Sequence, residues 1–374
     1  MKPIIVVIVS LLSITIPVFC ADFYVSTAGS DSNPGTQAQP FATIQHAIDA
    51  CPAPQIPCTI HLDASTWNES PTMVASNISA SSNDRPDMTI VGDYNGPNGM
   101  GGQNTSVIIG CFTIEALFTG QMQSHAYLSS VTVKQVIAIA ATTFPGSVGC
   151  GNIHVISCNV SNSSSHGITC QPEGYNSVFT ISNCNIYNNT GGGIYYQNMS
   201  SYFMIYIYNC NIHNNQEFGI NSCNAPTQYC YIPIHDNNIH DNSGNGLVFN
   251  NSNGDIYNNL IVNNQGYGIY ITGSNSTPDL GGGAQNSPGN NTISGNGTYE
   301  AYNASPNLIY AKFNYWDPLS EAEMAGHTYL EVDVTRIFDH WDDSSKGYVD
   351  WDNPGTYTKV VPMSLGQLKA SYAR

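Results

Sequence analysis

Apolar and polar residues alternate with a period of two in short runs through the middle of the chain, as in VFTISN (178–183) and IYIYNC (205–210). That period predicts strands, because successive side chains of a strand point to opposite faces. The runs also recur. Aligning the aliphatic residue of the CNI-like triplets gives Val160, Ile186, Ile212, Ile239 and Ile261, spaced by 26, 26, 27 and 22 residues. A second anchor, Gly followed by an aliphatic residue, keeps the same step at Gly167, Gly193, Gly219, Gly246 and Gly268. Two anchors in one register predict two- or three-strand coils stacked in parallel, a β-solenoid, with Val133 marking an earlier unit and Ile293 a later one. Leucine-rich repeats have units of this length, but Leu is rare at these anchors.

Stacking assigns the remaining positions to columns, since equivalent residues of successive coils lie ~4.8 Å apart. Ile153/Phe179/Ile205/Ile232 and Val155/Ile181/Ile207/Ile234/Ile256 form an apolar inner wall. Cys158, Cys184 and Cys210 continue it before giving way to Asn237 and Asn259, and are read as core packing. Asn162, Asn188, Asn214, Asp241 and Asn263 fall at corners, where Asn tolerates left-handed backbone and its amide can bond to the equivalent amide one coil away.

Composition narrows the class. The leader runs from Met1-Lys2 into an apolar stretch, Ile4 to Phe19, which predicts a signal peptide over 1–20 cut before Ala21. Lipid attachment at Cys20 is the alternative, disfavoured by the large Phe19. No later segment is apolar enough to span a bilayer, so a secreted protein is expected, extracellular or at the cell surface. The formal net charge of −17 argues against nucleic acid as a partner. Twelve Asn-x-Ser/Thr sequons, among them Asn68, Asn188 and Asn303, would be glycosylated in a eukaryotic host. Cysteine usage suits an oxidising compartment, with Cys51–Cys58 and Cys223–Cys230 as disulfide candidates and the pairing of Cys111, Cys150, Cys158, Cys170, Cys184 and Cys210 open.

The ends of the chain add a resemblance. FYVSTAGSDSNPGTQAQPFATIQHAIDAC (23–51), TIHLDASTWNES (59–70) and SNDRPDMTIVGD (82–93) resemble the opening of secreted right-handed parallel β-helix proteins with the pectin-lyase-like fold. FNYWDPLSEAEM (313–324) and the following IFDHWDDSSKGYVDWDNP are similar to their closing segment. The resemblance implies an all-β, right-handed parallel β-helix, a single-stranded solenoid of about 22–27 residues per coil, over residues 21–374. It implies a capping helix over 42–50, regular coils over 150–310 and a C-terminal capping segment from 313. It does not imply one activity, because this architecture carries lyases, hydrolases, epimerases and adhesins.

In that family the outer face of one parallel sheet does the work. Here its two columns read His154, Thr180, Tyr206, Pro233, Asp255 and Ile156, Ser182, Tyr208, His235, Tyr257. Tyr206, Tyr208, His235 and Tyr257 are a candidate glycan-binding patch, since phenol rings offer an apolar face and a polar edge; plain sheet surface is the alternative. His213 and His240, one coil apart, are a weak metal candidate, and Ca²⁺ finds no acidic cluster to hold it. Asp255 and His235 are the only acid–base candidates. A polyuronate lyase needs a cation near its base, yet residues 140–310 contain no Lys or Arg. The Gly-His-Gly motif of pectin hydrolases and the Asp-Pro-His motif of alginate epimerases are absent, and the one Asp-Asp pair, Asp342–Asp343, lies in the C-terminal capping segment outside the coils. The expectation is a secreted glycan-binding or surface-interaction protein needing no cofactor. The alternatives are a polysaccharide lyase or glycoside hydrolase, and a purely structural coat or matrix solenoid. The sequence leaves the oligomeric state open.

Overall fold

The computed structural model describes residues 20–52, 56–77, 87–118, 123–143, 150–173, 177–197, 203–224 and 230–354. The signal-peptide expectation for 1–20 therefore lies almost wholly outside the described residues. Three ten-stranded sheets share the chain, and the coils between Cys58 and Thr272 each contribute to all three. The first sheet runs from Ala21–Val25 through Cys58–Leu62, Asp87–Gly92, Gln123–Ser129, Cys150–Ile156, Ser177–Ser182, Phe203–Tyr208 and Pro233–His235 to Asp255–Tyr257. The second begins at Thr66–Trp67 and ends at Tyr315–Trp316; the third begins at Thr72–Asn77 and ends at Ile337–Phe338. Neighbouring coils pair in parallel, and the registers Val133↔Val160↔Ile186↔Ile212↔Ile239↔Ile261↔Ile293 follow the predicted repeat, including its earlier and later units. The inner columns are buried as read, each residue 0–1% exposed. Among the described residues no helix is long and apolar enough to cross a membrane.

The corners differ from the expectation by one residue. Asn162, Asn188, Asn214, Asp241 and Asn263 do take left-handed backbone, with φ between 53 and 60°. That single left-handed residue turns the chain so that the next side chain points inward. The amide ladder is consequently built from Asn189, Asn215, Asn242, Asn264 and Asn296, each Nδ2 donating to the next Oδ1 at 2.9–3.0 Å. A second ladder, Asn237–Asn259–Asn291–Asn314, continues the cysteine column at 2.9–3.0 Å. The thiols of Cys158, Cys184 and Cys210 lie 3.5–3.6 Å from the carbonyl oxygens of Leu128, Val155 and Ile181. All three are fully buried, as packing residues rather than reactive ones require.

Both ends are closed by charge placed on backbone donors. Helix α1 (Ile44–Ala50) buries Ile44, Ala47 and Ile48 over the first coil. Thr43 caps it, accepting from His46 N at 3.2 Å, while Glu69 accepts from Ile44 N at 2.9 Å and Gln45 N at 3.2 Å. At the far end the buried Glu300 accepts from Asn296 Nδ2 at 2.6 Å and from Arg336 Nη2 at 2.5 Å, terminating one ladder. Helix α2 (Pro318–Met324) follows, capped by Asp317. Of the disulfide candidates, Cys51–Cys58 is bonded. Cys223 instead is a free thiol at the end of Phe218–Cys223 in the third sheet, whereas Cys230 starts a strand paired with the first sheet. The Cys223–Cys230 pairing is corrected accordingly; the Cys230 side chain lies outside the described ones.

Candidate functional site

The first sheet's outer columns have the predicted register: Ile156↔Ser182↔Tyr208↔His235↔Tyr257 in one row, His154↔Thr180↔Tyr206 and Pro233↔Asp255 in the other. Tyr208, His235 and Tyr257 stack face to face, with centroids 5.2 and 4.7 Å apart and planes within 4°. The inter-strand spacing of ~4.8 Å is close to a ring-stacking distance, so these rings cover one another and present edges outward. His235 Nδ1 is also held by Asp236 Oδ2 at 2.7 Å. Tyr206 stands in the other row, its hydroxyl 3.5 Å from Met204 Sδ.

Asp255 is only 6% exposed. Its neighbour one coil on is a second carboxylate, Asp279. That group is already committed, accepting from Gly281 N, Gly283 N, Gln285 N and Ser287 N at 2.9–3.3 Å and so folding the 279–287 insertion. His213 and His240 stack at 5.0 Å, and their Nε2 atoms lie 3.1 and 3.0 Å from Asn185 Oδ1 and Asn211 Oδ1. His240 Nδ1 meets Asp241 Oδ2 at 2.7 Å. Parallel imidazoles whose Nε2 atoms both face asparagine oxygens do not converge on a metal. Among the described residues no group of three or more His, Cys, Asp or Glu is arranged to hold one.

A different cluster lies nearer the N-terminus on the same face. The strands Asp87–Gly92, Gln123–Ser129 and Cys150–Ile156 place Asp87, His125 and Asn152 in one outer row and Thr89, Tyr127 and His154 in the next. Alternation creates it: Ala126 and Leu128 point inward, so His125 and Tyr127 point out. The Tyr127 and His154 rings stack at 4.5 Å. The Asn152 amide donates to His125 Nε2 at 3.2 Å, which places the ring proton on Nδ1, 3.4 Å from the Tyr127 hydroxyl oxygen. Tyr127 is then left to donate its own proton outward. Burial, helped by Asp87, pushes its phenol up, so it stays protonated. Burial, helped by His125, pushes His154 down to about 4 and keeps it neutral near pH 7.

Three buried atoms here, Asp87 Oδ1, Asn152 Oδ1 and His154 Nε2, have no hydrogen-bond partner among the described residues. Polar atoms withdrawn from water are nearly always paired, so three in one patch make this cluster the candidate site for a polar ligand. Sequence reasoning reached only His154 of this group. The alternation in QSHAYLS (123–129) was the available signal, but it stands before the regular repeats.

Comparisons with known proteins bear on the fold. A family model described as "Right handed beta helix region" matches residues 122–296. No curated protein matches the chain. Among solved structures, the A-module of a mannuronan C-5 epimerase from Azotobacter vinelandii is 14% identical, with 89% of this chain and 96% of that one covered at a TM-score of 0.45. A pectate lyase is 13% identical, covering 91% and 80% at a TM-score of 0.40. A GH136 lacto-N-biosidase from Eubacterium ramulus is 11% identical, covering 91% and 68% at 0.32. With its three parallel sheets and this family match, the chain is an all-β, right-handed parallel β-helix.

Proposed function

We propose that the protein is a secreted glycan-binding β-helix that holds its ligand across the outer face of the first sheet, over Asp87, His125, Tyr127, Asn152 and His154. The observation that carries this reading is the group of unpartnered buried polar atoms, an acceptor-rich carboxylate, an amide oxygen and an imidazole nitrogen, beside an outward phenol donor. Mixed donors and acceptors next to aromatic rings suit a hydroxyl-rich ligand, whose groups both give and take hydrogen bonds. The Tyr208–His235–Tyr257 ladder lies further along the same face and offers phenol and imidazole edges to a longer chain. The reading requires no cofactor.

A polysaccharide-active enzyme is the second reading, with Tyr127 and His154 in ring contact as its acid and base, although both are shifted away from neutral pH and are weakened in those roles. One experiment separates them. The protein is passed over immobilised polysaccharides while reducing ends and unsaturated products are assayed. Retention without products supports binding; products at any turnover replace it with the enzyme reading. Tyr127→Phe and His154→Gln should each weaken retention up to about tenfold while leaving the melting temperature near wild type. Undiminished retention in the double variant would remove the ligand from this cluster, and no retention on any glycan would leave the structural-solenoid reading.

A further inference from the structure

The first sheet does not stop at Tyr257. Its stack continues through the bridges Asp255↔Asp279 and Gly281↔Ala311 to the paired strands Ile309–Tyr310 and Val349–Asp350. Three coil steps of ~4.8 Å put this last pair roughly 15 Å beyond Tyr257. Tyr310 is 37% exposed there, and Lys312 Nζ pairs with Asp350 Oδ2 at 3.1 Å. Tyr329, which feels the charges of Asp350 and Lys312, links this end to Trp341, 42% exposed, whereas Trp67, Trp316 and Trp351 are at most 3% exposed.

Trp341 is not a loose surface ring. Its indole Nε1 donates to Tyr329 O at 3.0 Å, and its backbone N donates to Asp339 Oδ1 at 2.9 Å. The buried Asp339 also accepts from Val349 N at 2.9 Å, which ties the Trp341 segment to the last strand. Tyr348 meets Trp341 at 6.2 Å and 72°, and Tyr329 at 5.7 Å and 71°. The plate is therefore oriented before any ligand arrives, which removes most of the ordering cost of binding.

We infer that Trp341, with Tyr348, Tyr329 and Tyr310, forms a second carbohydrate subsite at the C-terminal cap, taking a neutral pyranose chain. A sugar ring presents a C–H face that packs on an aromatic plate and a rim of hydroxyls that needs donors and acceptors at the plate's edge. Here the half-buried Lys312 ammonium, anchored on the buried Asp350, supplies a donor, and the Tyr310 and Tyr329 phenols both give and take hydrogen bonds. Charge selects against a polyanion: five aspartates lie between residues 339 and 352, with Lys346 the one cation among those residues. The glycan class rests on the function proposed above, but the residues are separate.

The distribution of tryptophans provides the assay, because Trp341 alone of the four is open to an added quencher or ligand. Full-length protein is titrated with cellohexaose, xylohexaose, mannohexaose and, as the charged control, oligogalacturonate. Tryptophan emission and acrylamide quenching are followed. A neutral hexasaccharide should change the emission saturably and protect it from acrylamide. Trp341→Ala should abolish that change, Tyr348→Ala should weaken binding about tenfold, and the Tyr127→Phe/His154→Gln protein should keep it. If every sugar leaves Trp341 quenching unchanged while the protein is still retained on a glycan, the cap subsite is wrong and the first-sheet site stands. If protection follows protein concentration without sugar, the plate, with Leu330 at 55% exposed near it, is an interface between copies and the subsite falls. A response to oligogalacturonate alone would overturn the neutral-chain assignment.

Discussion

At the scale of single residues, burial of titratable groups on outer faces sets a pH dependence. His213 is wedged between Tyr187 and His240, and burial, then the His240 charge, pushes it down to about 4. An imidazole that titrates near 6.5 in the unfolded chain and near 4 in the folded one binds more protons unfolded throughout that window. Its contribution is therefore complete above about pH 6.5 and is lost as pH falls toward 4; His154 adds to the same window. Urea unfolding at pH 7.0 and 4.5 should show wild type losing stability on acidification and His213→Gln losing less. Equal losses would assign the acid sensitivity to other groups. The identities of these histidines and their column were legible in the sequence. The state of His213 was not, because it depends on the ring faces of Tyr187 and His240 and on Asn185, whose oxygen meets its Nε2 across one coil.

At the scale of the repeating element, the structure explains the glycine anchor. A Cβ on Gly219 would lie 2.5 Å from Ile239 Cγ2 and 2.7 Å from Gly246 O, and the same contacts recur at Gly193 and Gly246. The column is small because the next coil's Ile and backbone occupy the space, so Gly219→Ala should cost about 2–3 kcal/mol. Denaturant unfolding that shifts by less than about 0.5 kcal/mol would show that the coils can separate to accept it. The repeat itself was readable because in-register stacking converts sequence offset into contact. The corner ladder was read one residue early, since whether Asn188 or Asn189 points inward depends on the left-handed φ of Asn188. A repeat pattern fixes which residues are equivalent, not which way each one turns.

At the scale of the whole molecule, a solenoid must end, and charge ends this one. Glu300 is fully buried against the last amide of a ladder, with Arg336 as its cation and Asp317 beside Arg336 at 3.5 Å. Arg336→Ala would leave a buried carboxylate unpaired and should cost about 3–5 kcal/mol, whereas Arg336→Ala with Glu300→Gln should recover part of that loss. A single variant as stable as wild type, by the same unfolding assay, would show that Asn296 alone satisfies Glu300. The sequence by itself determined the strand period, the coil length and the inner wall, because each follows from local alternation or from contacts between equivalent positions; the N-terminal helix came from the family resemblance. Only the tertiary structure decided which outward residues come together. It brought Asp87, His125, Tyr127 and His154 together across irregular coils. It turned the Tyr208–His235–Tyr257 rings onto one another and anchored Trp341 on the Tyr329 carbonyl. Those outcomes depend on inter-coil spacing, ring orientation and long-range backbone pairing, and no periodicity along the chain encodes them.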